Sequence, residues 1–384
     1  MKRIIASILC TALAVSVTSC ACDSIPETSQ DRAVVRIAVP KNISDMELLV
    51  NTFEEKNPNV RIEKVDMPRS SAERHSVYVS AMSSGDSSID MYWLDDSWTE
   101  EFAGYGYLEP LDGRIKPDES LYITNSCKVF SYGGNLYALP LAIDTDFIFY
   151  RKDIVNTPPA DWAEIKKLVG SGNRINSLCV NDKISIDMIY DILDFKESMN
   201  CGYDEVLEFY KNTIDTNRQD NDVEYISPFK TGGAVFLKDG CSEWYELNDD
   251  ISAVRGNVRA VMLPEGNGKR FIREYGLGIN ALSENKEYSM KFLEFLSVAE
   301  NQRLLAREYG LMPVISGFYD DEMILDVNPH FYGVKEIIKE AQHYSELRID
   351  GETDVILENA LLDYFSGKTD VQTVCGAFEA VFGK

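Results

Sequence analysis

Histidine and tryptophan are scarce in this chain, and acidic residues far outnumber basic ones. The 384 residues include 3 histidines and 4 tryptophans, with 63 Asp and Glu against 38 Lys and Arg, for a formal net charge of -25. Such an acidic surface repels nucleic acid and anionic lipid, so neither is an expected partner. The histidines and the cysteine spacings match no metal-ligand pattern, and we predict no metal site and no cofactor.

Apolar runs long enough to span a membrane are also missing. The apolar stretch at residues 4–17 is too short for a membrane helix, and it follows a basic start at Lys2 and Arg3. A basic start, a short apolar run and small residues before a cleavage point are typical of a secretory signal.

The end of this signal resembles a bacterial lipobox, VTSC at residues 17–20. It departs from the usual pattern at Val17, where a lipobox more often has Leu. We predict a signal peptide over residues 1–19, lipidation of Cys20 as the only membrane anchor, and a polar tether over residues 20–31. The alternative is an ordinary cleaved signal with a spare cysteine, and Cys22 is a second candidate thiol.

Strand and helix patterns alternate through the rest of the chain. Residues 34–39 read as a buried strand, residues 46–53 as one face of a helix, and residues 89–94 as another strand. Short connections between such elements predict an α/β sheet with helices on its faces. Strands are also predicted at 136–143, 147–150 and 277–282, and helices from 161, over 286–310, and over much of the chain after 330.

The order of short motifs resembles that of the extracellular solute-binding proteins of family 1, which include maltose-binding protein. The motifs are FEEKNPNV (53–60), IDMYWLDD (89–96), FAGYGYLEPLD (102–112), GGNLYALPLAIDTDFIFYRKDI (133–154), PPADWAEI (158–165), AVFLKDGCSEW (234–244), VMLPEGNG (261–268), YGLGINALSENKEYSMKFLEFL (275–296) and YGLMPV (309–314). Each is weak alone, and their common order carries the resemblance.

The resemblance implies an α/β, periplasmic-binding-protein type II-like fold. Two α/β lobes, joined by several chain crossings, would enclose a ligand cleft and close on a hinge. The implied first lobe combines residues 32–143 with 276–313, and the second combines 144–275 with 314–384.

Candidate ligand-binding residues gather at the end of the strand predicted at 89–94, where open α/β sheets place their ligands. They are Trp93, Asp95, Asp96 and Trp98. The resemblance implies that Trp93 and Asp96 contact the solute, although Ser97 stands where the maltose-like binders have a basic residue. The alternative for both tryptophans is an ordinary place in the core.

Further candidates come from the second lobe and the crossings. Glu243, Trp244 and Tyr245 follow the family's Gly-x-Trp segment, whose Trp would stack on a sugar ring. Asp144, Thr145 and Asp146 lie at the first predicted crossing, and Arg273, Glu274 and Tyr275 at the second. These crossing residues would either hold the solute or close the gap between the lobes.

The predicted function is that of a monomeric lipoprotein that captures a carbohydrate, in the form of an oligosaccharide, and delivers it to an ABC permease. One alternative is a cationic solute such as a polyamine, because the candidate cleft is rich in Asp and Glu and poor in Arg and Lys. A surface sensor or adhesin with the same fold is another. A remote alternative is a secreted glycosidase using Asp95 or Asp96 with Glu243, but no other catalytic pattern is present, and we predict a protein that is not an enzyme.

Overall fold

The computed structural model describes residues 32–41, 43, 46–111, 113–169, 178–180, 184, 186–213, 225–262, 270–347 and 351–383. The predicted signal peptide, Cys20 and the tether lie outside these residues.

The first lobe is built on a mixed sheet, in which the described residues supply seven strands. They are β1 (Ala33–Pro40), β2 (Val60–Met67), β3 (Met91–Asp95), β6 (Ala138–Asp144), β11 (Phe271–Ile279), β12 (Met312–Pro313) and β13 (Gln342–His343). The strand order is β12-β6-β11-β3-β1-β2, and β13 pairs with β11. The partners β2 and β3 run parallel to β1, which places their carboxyl ends at the same edge of the sheet.

The second lobe has a smaller sheet, with the described strands in the order β10-β7-β9-β8. Their bounds are β7 (Asp146–Arg151), β8 (Leu178–Cys179), β9 (Phe236–Gly240) and β10 (Val258–Val261). A separate hairpin joins β4 (Ser131–Tyr132) to β5 (Asn135–Leu136). Its central residues, Gly133 and Gly134, have φ angles of 58° and 86°, the positive values that tight two-residue hairpins require.

Helices cover both sheets. They are α1 (Glu47–Lys56), α2 (Ser71–Ser83), α3 (Thr99–Gly104), α4 (Ser126–Val129), α5 (Trp162–Val169), α6 (Ile186–Met199), α7 (Tyr203–Thr213), α8 (Ser227–Lys230), α9 (Glu243–Leu247), α10 (Lys286–Leu296), α11 (Ala299–Tyr309), α12 (Glu322–Leu325), α13 (Lys335–Lys339), α14 (Gly351–Phe365) and α15 (Val371–Phe382). None of these described helices is long and apolar enough to cross a bilayer.

The chain first crosses from one sheet to the other over a single residue. Asp144 ends β6 in the first lobe, Asp146 begins β7 in the second, and Thr145 lies between them. The return runs through β11, whose first residues pair with β13 and whose remainder pairs with β6 and β3. Residues 273–275, which the predicted boundary assigns to the second lobe, are therefore hydrogen-bonded into the first sheet.

Most of the predicted elements are confirmed, including β1, β6, β7, α5 and the helical stretch of α10 and α11. The strand predicted at 277–282 instead begins at Phe271 and ends at Ile279. The sequence pattern does not show that the strand begins this early, because the charged residues Arg273 and Glu274 interrupt the run of apolar residues. Both side chains are tolerated in the strand because each meets a charged or polar partner in the interior.

Candidate functional site

The candidate site is a cleft at the place where the chain passes from one sheet to the other. Its cavity has a volume of about 180 Å³. Side chains from both lobes line it: Arg69, Ser70, Ser71, Arg74, Asp144, Thr145, Asp146, Tyr190, Asp191, Tyr225, Lys238, Asp239, Gly240, Ser242, Glu243, Arg273, Tyr275 and Tyr344. A solute in this space would contact both lobes at once.

Two arginines form the first-lobe wall of the cleft, and a buried acid behind them fixes their side chains. Arg74, on α2, and Arg273, on β11, both pair with the buried carboxylate of Asp95, at 3.5 Å and 3.0 Å. Ser71 also donates a hydrogen bond to Asp95. Because Asp95 is completely buried, its charge is compensated by these neighbours and not by water. The acid therefore fixes two cationic side chains that face the cleft.

A buried lysine organises one part of the second-lobe wall. The Nζ of Lys238, on β9, pairs with Asp146, and it lies 2.7 Å from Asp191. Burial raises the pKa of Asp191 to about 7, although the ammonium group of Lys238 acts to lower it. Lysine and carboxylates here compensate one another, so this part of the wall offers polar atoms with little net charge.

Acids on the other side of this wall contact Arg69 and a tyrosine. The hydroxyl of Tyr225 donates to Asp239 at 2.5 Å, and Arg69 pairs with Glu243. Burial raises the pKa of both Asp239 and Glu243, while Arg69 acts to lower each of them. Among the described residues, no group hydrogen-bonds to the second oxygen of Glu243, Oε2. Because this oxygen is itself buried, the acid depends on Arg69 for its counter-charge.

The aromatic surface of the cleft is made of tyrosine. Tyr190 and Tyr344 stack with their ring centroids 4.2 Å apart. Tyr275 donates from its hydroxyl to Asp144 at 3.4 Å, and burial raises the pKa of that carboxyl. Asp144 also accepts a hydrogen bond from the backbone N–H of Cys241 at 3.1 Å. The ring of Tyr275 is thus held by a carboxylate that is itself anchored to the second lobe.

Of the side chains predicted from the sequence, six line the cleft: Asp144, Thr145, Asp146, Glu243, Arg273 and Tyr275. Thr145 donates a hydrogen bond to the carbonyl oxygen of Phe271 at 3.0 Å, which ties the crossing residue to the returning strand.

The predicted tryptophans of the first lobe lie in its core. Trp93 is completely buried on β3, where its ring packs against Tyr275 with centroids 5.9 Å apart. Trp98 is buried against Tyr78 and Phe102, and the guanidinium of Arg74 lies over its ring at 5.2 Å. Neither indole borders the cavity, so each supports a residue that does.

Trp244 and Tyr245 also face away from the cavity. Trp244 stacks on the buried ring of His330, with centroids 4.9 Å apart, and Tyr245 donates from its hydroxyl to the carbonyl oxygen of Arg307 at 2.8 Å. Both side chains pack α9 onto its surroundings, whereas Glu243 at the start of the same short helix reaches the cleft.

Asp96 and Glu274 belong to a buried polar cluster behind the cleft. Asp96 accepts from the hydroxyl of Ser345 at 2.7 Å, and Glu274 lies 2.8 Å from the Nε2 of His343. Burial raises the pKa of Asp96 to about 6, with His343 acting to lower it. These contacts join the end of β3 and β11 to the segment around β13, and neither acid lines the cavity.

Several cleft residues were not predicted from the sequence, and they change its charge. Arg69, Arg74 and Lys238 line the cavity, together with Arg273 from the second predicted crossing. The prediction of a cleft poor in Arg and Lys is therefore wrong. The sequence does carry a signal for Arg69. This residue follows β2, so it lies at the same edge of the parallel strands as Asp95, where ligands are expected. Tyr225 lies in a turn and Tyr344 begins a short 3₁₀ helix, and neither carries a comparable signal in the sequence.

A family model for the bacterial extracellular solute-binding proteins matches residues 49–331. The chain belongs to this family. The resemblance in the order of the motifs is thereby confirmed, and the match includes both crossings of the cleft.

Relatives of this solute-binding protein have names that concern sugar binding and transport. The maltotriose-binding protein of Pyrococcus abyssi is 26% identical over 276 residues, which are 65% of this chain and 59% of that protein. A probable ABC transporter-binding protein of Deinococcus radiodurans is 21% identical over 317 residues, 73% of this chain and 75% of its own length. The chain thus spans less than two thirds of the first relative and three quarters of the second.

Solved structures confirm the predicted fold class. Maltose-bound MalE3 of T. maritima has a TM-score of 0.79 at 20% identity, covering 91% of this chain and 98% of that one. A solute-binding protein from Agrobacterium vitis with bound D-mannitol has a TM-score of 0.75 at 17% identity, with coverages of 91% and 97%. Two α/β lobes enclosing a cleft are therefore the architecture of this solute-binding protein. Within its described residues, no cluster of three or more His, Cys, Asp or Glu side chains could hold a metal ion.

Proposed function

We propose that this protein captures a neutral carbohydrate in its cleft and delivers it to the permease of an ABC importer. It acts as a binding protein without enzymatic activity of its own. The observation that carries the proposal is the lining of the cleft, where tyrosine rings stand among acidic and basic side chains that largely compensate one another.

The chemistry of this lining suits a sugar. Sugars present apolar C–H faces and a rim of hydroxyl groups, so a site for them needs aromatic surface and paired donors and acceptors. Tyr275 and Tyr225 offer ring surface, the partly exposed carboxylate of Asp146 can accept hydrogen bonds, and Arg273 offers N–H donors. The names of the maltotriose-binding relative and of the maltose- and mannitol-bound structures support the same class of solute.

The charge of the cleft argues against a polyamine. The carboxylates of Asp146 and Asp191 already pair with Lys238, and that of Glu243 pairs with Arg69. A polyamine would have to displace protein cations from these acids, whereas a neutral solute can leave the pairs intact.

The positions of Asp95 and Asp96 argue against a glycosidase. Asp95 and Asp96 are buried behind the wall and held by arginine and serine side chains. A catalytic acid and nucleophile must both reach the scissile bond, and neither of these acids borders the cavity.

Closure on a hinge accompanies capture in our proposal. The lobes divide near the predicted boundaries, except that residues 273–275 go with the first sheet, and Thr145 and the strand β11 are the connections that bend. A solute drives closure only through contacts that are better in the closed form, and contacts to both walls of the cleft would satisfy this condition. The protein acts as a monomer.

Attachment to the outer face of the membrane is the remaining part of the proposal. Cleavage before Cys20 would leave a lipidated N-terminus, and residues 20–31 would tether the lobes near the permease. The membership in an extracellular family supports an extracytoplasmic location.

A thermal-shift screen tests the solute class. The panel contains maltose, maltotriose, mannitol, putrescine and spermidine, and a solute at 100-fold its dissociation constant adds about 2.7 kcal/mol to the free energy of unfolding. We expect stabilisation by at least one neutral sugar or polyol and none by the amines. Stabilisation by putrescine or spermidine alone would refute the proposal, as would the release of smaller sugars from maltotriose during incubation.

A further inference from the structure

An ion pair crosses the cleft between the lobes. The guanidinium of Arg69, in the loop between β2 and α2 of the first lobe, contacts the carboxylates of Glu243 and Glu246, with Glu246 at 3.5 Å. Both acids lie on α9, which follows β9 of the second lobe. A separation of the lobes would break these contacts.

The backbone that presents Arg69 is fixed from within the first lobe. The buried side chain of Arg74 donates hydrogen bonds to the carbonyl oxygens of Pro68 and Arg69, at 3.2 Å and 3.0 Å. Arg74 in turn pairs with Asp95. The loop is thus held in place whether or not its arginine meets the opposite lobe.

The opposite lobe provides a pocket shaped for a cation. Glu243 is buried, and Glu246 also pairs with Lys230 at 3.0 Å. Asp239, held by the hydroxyl of Tyr225, lines the same part of the cleft. The buried acid of this pocket requires a cationic partner, and Arg69 supplies it from across the cleft.

We infer that Arg69 is a latch that fastens the two lobes and thereby sets the affinity of the cleft for its solute. The inference deepens the proposed function, since it assumes the same cleft and the same closure. By stabilising the closed form before a solute arrives, the latch lowers the free energy that solute contacts must supply. It also occupies the acidic pocket, so a cationic solute would have to displace Arg69 from Glu243.

Arg114 provides a matched control. Like Arg69 it contacts two carboxylates, those of Glu287 and Glu294 at 2.9 Å each. All three residues belong to the first lobe, so replacing Arg114 removes a comparable pair of contacts without affecting any contact between lobes.

The experiment measures the distance between the lobes by single-molecule energy transfer, first without a solute. Dyes are attached through unnatural amino acids at exposed positions Glu55 and Glu208, one on each lobe. We expect Arg69→Ala and Arg69→Gln to shift the population to longer distances and Arg114→Ala to leave it unchanged. The charge exchange Arg69→Glu with Glu243→Arg should move the population back toward short distances.

Affinity for the best solute of the thermal-shift panel is the second readout. Truncating one partner of a buried charge pair weakens a contact that exists only in the closed form, and we expect Arg69→Gln to lower affinity about tenfold. Wild-type distances in both Arg69 variants, or a charge exchange no better than its single substitutions, would overturn the latch. If no sugar binds any variant, the proposed function fails, while the solute-free distances still decide whether the latch exists.

Discussion

The Oδ1 of Asp95 lies 3.0 Å from the Nε of Arg273, directly behind the wall of the cleft. The same carboxylate pairs with Arg74, and it is completely buried. Asp95 was predicted from the sequence as a solute contact. In the structure it lies behind the cleft wall instead, where it positions the two arginine side chains that a solute would contact.

Replacing Asp95 by Asn should destabilise the protein strongly. The change leaves two arginines in the interior without their counter-charge, and breaking a buried pair costs about 3–5 kcal/mol. Urea denaturation measures the effect on the free energy of unfolding. The control is Asp153→Asn, because Asp153 pairs with Arg151 near the surface, where such pairs contribute at most about 1 kcal/mol. Equal losses in the two variants would contradict the role given to Asp95.

Replacing Tyr275 by Ala should weaken solute binding selectively. Loss of a buried aromatic surface worth about 1.5–3 kcal/mol corresponds to roughly a ten- to hundredfold loss of affinity. Titration calorimetry with the best solute of the panel measures it. Trp244→Phe should leave the affinity at the wild-type value, because that ring stacks on His330 outside the cleft. A larger loss in the Trp244 variant than in the Tyr275 variant would restore the indole platform predicted from the sequence.

His330 should make the protein less stable in mild acid. Burial lowers its pKa to about 3, whereas an unfolded histidine titrates near its ordinary value of about 6.5. Between these values the unfolded chain binds the extra proton, so the stability present above about pH 6.5 is lost as the pH falls. From pH 7.5 to pH 5 this one residue should cost about 2 kcal/mol.

The variant His330→Phe isolates this contribution. Neither ring nitrogen of His330 hydrogen-bonds to any described group, so a phenyl ring can take its place between Trp244 and Phe147. Denaturation at the two pH values should show a smaller acid loss in the variant than in the wild type. The same loss in both proteins would mean that His330 does not carry the effect.

Cys20 should carry the membrane anchor. In cells given an alkyne analogue of palmitate, Cys20→Ser should abolish labelling and release the protein from the membrane fraction, because no second anchor is proposed. Cys22→Ser is the matched control and should keep both the label and the membrane association. Loss of label only in the Cys22 variant would show that Cys22, and not Cys20, carries the lipid.

The sequence predicted the larger elements well because their patterns are local. β1 and β6 are apolar runs that a sheet buries on both faces, and the glycine pair at 133–134 favours the hairpin that the structure contains. Strands of two residues, such as β8 and β13, offer too few positions for any period to appear. Their pairing depends on neighbours that are distant in the chain.

The site was predicted less completely, and the reason is the burial of β3. All its residues are buried, so the strand has no alternation that would separate an indole in the core from one facing a cleft. Trp93 and Asp95 therefore look like ligand contacts in the sequence and lie behind the wall in the structure. Arg69 and Tyr344 come from segments far apart in the chain, and only the packed lobes bring them together.

The most direct test is a crystal structure of the protein with the neutral solute that stabilises it most. The solute should lie between the lobes, with a hydroxyl within hydrogen-bond distance of the Asp146 carboxylate and a carbon face on the ring of Tyr275. Density for the solute on an outer surface, or within the cleft but clear of both side chains, would contradict the account.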